Sequence, residues 1–212
     1  MSLGNRIHIE HPESSVISVN YPIIYITDFT ERTKGQTPPR GVEITSSQQL
    51  DPSNSTMLMD SLTIHNDKNY DIDVVLLDDY VFHNIVRGRA HTDQHCEGCF
   101  SIKEEVPNWL VFIELKDCNP GSSIESKKDH AFKAKRQIYN VIKDLRGRGL
   151  ITSQRIYGII SWPQYKTEFN SMITGVDIFS VKKYQKYTGV LYCGANEAYI
   201  ISKDDVSPII VP

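Results

Sequence analysis

The chain reads as an α/β protein built on a central mixed β-sheet flanked by helices, with a β-rich N-terminal elaboration. Three segments predict this. Trp109-Leu-Val-Phe-Ile113 is a short, continuous apolar run of the kind found in fully buried strands. Between 126 and 147, Ala131, Ala134, Ile138, Val141, Ile142 and Leu145 recur at three- and four-residue steps, the stripe of an amphipathic helix. Arg155-Ile-Tyr-Gly-Ile-Ile-Ser-Trp162 is a second buried strand, stopped by Pro163. A strand, a helix and a strand in that order predict a crossover that makes the two strands parallel.

Taken in chain order, residues 15–27 are rich in β-branched and aromatic side chains and read as strand, with Pro22 forcing an edge or a break. Residues 32–56, with Thr-Pro-Pro39 and Asp51-Pro-Ser-Asn-Ser55, read mostly as loop. Residues 57–90 fit two periods. Val74, Leu77, Val81 and Ile85 have helical spacing, while Asp73-Val-Val-Leu-Leu77 suits a short buried strand. Cys96–Ile102 and Trp109–Cys118 flank the polar, Pro-containing run Lys103-Glu-Glu-Val-Pro-Asn108 and read as a hairpin. Ser126 followed by Asp129 resembles a helix-opening capping box, and Gly147 or Gly149 can close that helix. Thr188–Cys193 and Ala198–Ser202 read as two short strands extending the sheet, with Asn196 supplying turn chemistry between them.

The 212 residues read as a single domain, 1–212, with a β-rich part at 1–88, a core at 89–165 and a C-terminal extension of the sheet at 166–212. No run approaches 18 apolar residues, so no membrane partner is expected. Four cysteines in this length do not make a disulfide scaffold, and the expected location is cytoplasmic. The net charge of −3 argues against a protein that coats nucleic acid indiscriminately. The charge is uneven, however: 127–148 holds 8 Lys and Arg against 2 Asp and Glu.

The apolar strand ends in Glu114-Leu-Lys116. Residues two apart on a strand share a face, so Glu114 and Lys116 project together. Folding the hairpin about the centre of its 103–108 loop places Glu97 directly opposite Glu114. Two carboxylates paired across a sheet repel. A divalent cation between them removes the conflict, and magnesium favours one or two carboxylates with water and phosphate.

These residues resemble the PD-(D/E)xK, or restriction-endonuclease-like, nuclease superfamily. The matching parts are Glu97, Glu114-Leu-Lys116 and Gln137 in Ala134-Lys-Arg-Gln-Ile138, within roughly residues 90–165. Two features depart from the family pattern: the first acid is Glu with no preceding Pro, and the N-terminal third shows no clear match to the family's opening helix. The resemblance implies a restriction-endonuclease-like core. It also implies a hydrolase of DNA phosphodiester bonds in repair, restriction or phage defence, with magnesium or manganese as cofactor. Glu97, Glu114, Lys116 and Gln137 are then the expected catalytic residues. Glu97, Glu114 and the Leu115 carbonyl are the expected metal ligands, with Asp93 as a further acid of the same parity as Glu97. Lys127, Lys128, Lys133 and Arg136 are expected to meet nucleic acid, and a homodimer is compatible with the family. The alternative is a nuclease-like fold without catalysis, used to bind nucleic acid or protein.

Two other patterns compete. His91-x3-His95, Cys96-x2-Cys99 and Cys118 offer zinc ligands, but a structural zinc site usually pairs two such knuckles and only one is present. Val181-Lys-Lys-Tyr-Gln-Lys-Tyr187 interleaves aromatic and basic residues, which suits either base stacking or an exposed amphipathic segment.

Overall fold

The structure is a computed structural model of the chain. It describes all residues except 39, 78–81, 87–88, 94, 117, 120, 167–168, 175–184 and 209–212; for 82–86 and 89–93 it describes the backbone only.

The described chain forms three layers. The middle layer is a six-stranded sheet in the order β1 (Ser15–Val19), β7 (Ile72–Leu76), β10 (Gly98–Ile102), β11 (Trp109–Leu115), β12 (Arg155–Ser161) and β13 (Val190–Gly194). Its first three pairings are antiparallel, and β11–β12 and β12–β13 are parallel. A second sheet has the order β15 (Asp205–Ser207), β14 (Glu197–Ser202), β6 (Leu62–His65), β2 (Ile23–Asp28) and β3 (Val42–Thr45). Two small hairpins, β4 (Leu50–Asp51) with β5 (Asn54–Leu58) and β8 (Phe82–Val86) with β9 (Arg89–Asp93), stand apart. Among the described residues the helices are α1 (Leu3–Glu10), α2 (Ile124–Gly147) and the short α3 (Asn170–Thr174), with a helical turn at 185–188.

Burial alternates along the strands and divides the core in two. Leu110 and Phe112 of β11 face a cluster with Leu3 and Ile7 of α1 and Ala131, Ala134, Ile138, Val141 and Ile142 of α2. Trp109, Val111, Ile113 and Leu115 face the other way, onto Ile24, Ile26, Leu62 and Ile64 of the second sheet. The middle sheet is covered on both faces, which is why β11 reads as a continuous apolar run rather than an alternating one.

The helix of 126–147 begins three residues earlier than its capping box suggested. Ser123 is the N-cap and accepts a hydrogen bond from the Ser126 N–H at 3.2 Å. The helix ends at Gly147, and Gly149 then takes the left-handed φ of 70° that glycine tolerates.

Several expectations are resolved or revised. Among the described residues of 57–90 the strand alternative holds, at the end of β5 and at β6, β7, β8 and the start of β9, and no helix occurs. Part of 32–56 is strand as well, since β3, β4 and the start of β5 fall there. The strand expected at 15–27 splits at Pro22 between the two sheets. Only the first of the two C-terminal strands extends the middle sheet, because β14 pairs with β6 and β15 of the second. Finally, an N-terminal helix is present: Ser2 accepts from the Asn5 N–H, and Leu3 and Ile7 are buried.

Candidate functional site

The centre of interest is the C-terminal end of β11. Gly98↔Ile113 is the last pair of the hairpin ladder, and the same count carried one step further would set Glu97, just before β10, opposite Glu114. The neighbouring ladder also runs out to this point, since the Leu77 N–H donates to the Glu97 carbonyl at 2.9 Å. Glu114 shares the parity of Leu110 and Phe112 and so faces the helical layer. Its side chain is 0% exposed, although it is a carboxylate. Lys116 Nζ lies against Glu114 Oε1, and the Lys116 side chain is 25% exposed. The Lys116 N–H donates to the Ser161 carbonyl at 2.9 Å, so the β11–β12 ladder continues through the lysine and holds its backbone.

The electrostatics follow from this burial. Loss of water pushes the Glu114 carboxyl up to about 7, against the pull of Lys116 and of the Glu97 backbone N–H. That amide favours the ionised form, yet neither carboxylate oxygen has a hydrogen-bonding partner of good geometry. Burial alone would lower Lys116, but the carboxylates of Glu114, Glu97 and Asp28 outweigh it and hold the ammonium above its usual value. Asp28 is a site residue that sequence reading missed. It ends β2 in the other sheet and acts on both Glu114 and Lys116. No local signal marked it, because only the packing of two sheets brings it near.

Lys116 opens onto a cleft of about 100 Å³ between the layers. Asp28, Glu31, Asp51 and Asp60 line it, with Arg32 and the apolar Met57, Leu58 and Leu115. Arg32 pairs with Asp51 at 3.7 Å and Lys166 with Asp60, so part of the acidic charge is balanced.

The other expected residues fall as follows. Gln137 is 8% exposed on the buried face of α2, and its Nε2 donates to the His95 carbonyl at 2.8 Å, two residues before Glu97. It therefore ties the helix to the strand carrying the first acid. The Asp93 side chain lies outside the described residues. Lys128, Lys133 and Arg136 are exposed on α2, whereas Lys127 turns its ammonium over the Tyr165 ring, 5.2 Å from its centroid. Cys96, Cys99 and Cys118 are buried, and none of them is in a disulfide. Burial pushes the Cys99 thiol up to about 12 and Cys96 well above its usual value, as for inert packing thiols. Among the described residues, no three His, Cys, Asp or Glu side chains are grouped to hold a metal. His95, Cys96, Cys99 and Cys118 thus form no zinc cluster, and the His91 side chain lies outside the described residues. A metal at Glu97 and Glu114 would be completed by backbone, water or substrate.

Compared with protein-family models, curated proteins and solved structures, the chain matches none. Among the described residues, no helix is long and apolar enough to cross a membrane.

Proposed function

We propose that the chain is a divalent-metal-dependent nuclease that hydrolyses DNA phosphodiester bonds on a restriction-endonuclease-like core. One observation carries this reading. Glu114 is a wholly buried carboxylate held against a lysine, and its hairpin register, carried one residue past Gly98↔Ile113, reaches Glu97. Buried charges are rare, and groups whose ionisation burial perturbs are concentrated at functional sites. The element order supports the same reading: α1, then β7, β10 and β11 antiparallel, then α2, then β12 parallel to β11.

The donor set fits a hard divalent cation, because Glu97 and Glu114 supply oxygens and Leu115 lines the adjoining cleft. Magnesium or manganese held there would stabilise charge on the scissile phosphate and acidify the attacking water. Glu114 would give up its proton to bind it. Lys116, released from the carboxylate, would turn its ammonium toward the cleft and orient the attacking water against the phosphate. Gln137 would keep the 95–97 segment, and with it Glu97, in place.

A second reading has its own observation. The cleft beside Lys116 is lined by four acids, which repel phosphate when no cation is bound. That lining favours a nuclease-like fold that binds without cutting. Incubation with linear, supercoiled and single-stranded DNA, in magnesium, manganese or EDTA, separates the two. The nuclease reading expects cutting in either metal and none in EDTA. Glu114→Ala and Lys116→Ala should each lower the rate by roughly 10²–10³-fold or more, as expected for loss of a transition-state-stabilising group. Wild-type protein that never cuts any of these substrates would overturn it.

A further inference from the structure

The solvent side of α2 carries a second pattern. Phe132, Arg136, Tyr139, Lys143 and Arg146 follow one another at steps of four, three, four and three. That spacing keeps them on one line along a helix, about 21 Å from end to end at 1.5 Å per residue. Phe132 is 63% exposed, Arg136, Lys143 and Arg146 are exposed, and Tyr139 is half-buried. From 130 to the end of the helix the only acid is Asp144, already engaged by Arg148 at 2.9 Å and His11 at 3.1 Å. Among the described residues no ion pair engages Arg136 or Lys143.

The line continues beyond the helix. Arg146 Nη1 donates to the Thr188 carbonyl at 2.7 Å, which brings the 185–188 turn against the end of α2. Tyr187 on that turn is 79% exposed, the most exposed large apolar side chain of the described residues, and Lys186 precedes it. A lone exposed ring is ordinary on a solvated face, but two exposed rings beside a row of unpaired cations make a patch. Rings alternating with unengaged cations suit a ligand that offers flat apolar faces and negative charge in turn.

We propose that this line binds single-stranded DNA, with Phe132 and Tyr187 stacking on unpaired bases and Arg136 and Lys143 meeting phosphates. A duplex hides its base faces within its own stack and offers these rings nothing. The choice of DNA rests on the nuclease reading, and the surface itself does not. It lies on the opposite side of α2 from Gln137, so it would hold the strand beside the cutting site rather than in it.

The test is equilibrium binding of a fluorescent 20-nucleotide oligothymidine and of a 20-base-pair duplex, in EDTA and low salt so that nothing is cut. Oligothymidine is expected to bind more tightly than the duplex. Phe132→Ala and Tyr187→Ala should each weaken it by roughly 5- to 100-fold, the usual effect of removing one stacking ring. Arg136→Gln and Lys143→Gln should each reduce the slope of log affinity against log salt by about 0.7. All four side chains are exposed, so circular dichroism should show the fold intact. Unchanged affinity in both ring variants, or equal binding of duplex and single strand, would overturn the proposal. Binding with these signatures but no cutting in magnesium would support it while sinking the nuclease reading. Cutting that proceeds with ring variants that bind normally would do the reverse.

Discussion

Glu114 carries a stability cost that its surroundings do not offset. Its carboxyl is held at about 7, against 4.5 for the ordinary side chain, because burial penalises the charge more than Lys116 relieves it. Between these two values the folded chain binds more protons at this site than the unfolded chain. Stability from this group is therefore full below pH 4.5 and lost as pH rises through 7. The span corresponds to at most about 3 kcal/mol. His11 works in the opposite direction. It is 2% exposed, and burial, then Arg148, lower its pKa, so acid below pH 6.5 destabilises the fold by protonating the unfolded chain first. The two are separable. Urea unfolding in EDTA should show Glu114→Gln losing the decline between pH 4.5 and 7 that the wild type carries, while the His11 slope remains. An unchanged difference between wild type and variant across that window would mean that Glu114 is ionised throughout.

At the scale of elements, the site depends on how closely β7 and β10 approach. Gly98 follows Glu97, and a Cβ there would fall 2.4 Å from the Val75 carbonyl oxygen, a backbone atom that cannot swing aside. Gly98→Ala should cost roughly 1–3 kcal/mol, the range for overpacking. It should also weaken metal-dependent cutting more than a distant change of equal cost, because the strand must shift next to Glu97. Denaturant midpoints and cutting rates measured on the same variant check both parts. These elements were legible in the sequence to unequal degrees. The hairpin register could be read because its loop is short and polar and the Glu97–Glu114 pairing then follows by counting. The long helix could be read because about four turns, from Ala131 to Leu145, repeat one stripe. The opening helix could not. α1 is eight residues long, contains Gly4 and buries only Leu3, Gly4 and Ile7, so its pattern is too short to stand out. Gly4 weakens the helix signal for a packing reason: a Cβ there would meet Asp73 Oδ2 at 2.9 Å. Residues 73–77 fitted both periods because β7 is covered on both faces and loses the alternation that identifies strands. Asp28 was illegible in principle, because its place beside Lys116 comes from the stacking of two sheets and from no local pattern.

For the whole molecule, the proposed metal site would make folding and metal binding draw on the same proton. The two sheets and the helical layer close over Glu114, and that closure keeps water away and raises its pKa. A divalent cation would bind the ionised form, so its affinity should fall as pH drops below about 7. Any ligand that binds the folded chain alone stabilises it by RT ln(1 + [L]/Kd), about 1.4 kcal/mol at ten times Kd. For a domain of this size that is roughly 3–6 °C in Tm. Magnesium at that level should therefore raise the melting temperature by several degrees at pH 8. At pH 5, where Glu114 holds its proton, it should raise it hardly at all. Calcium, another hard oxygen-binding cation, should reproduce the shift. Thermal melts at the two pH values, with each metal and with EDTA, read this without any cleavage assay. Glu114→Gln should remove the shift at pH 8. A magnesium shift equal at both pH values, or one retained by Glu114→Gln, would place the cation elsewhere, the acidic cleft of Asp28, Glu31, Asp51 and Asp60 being the next place to look.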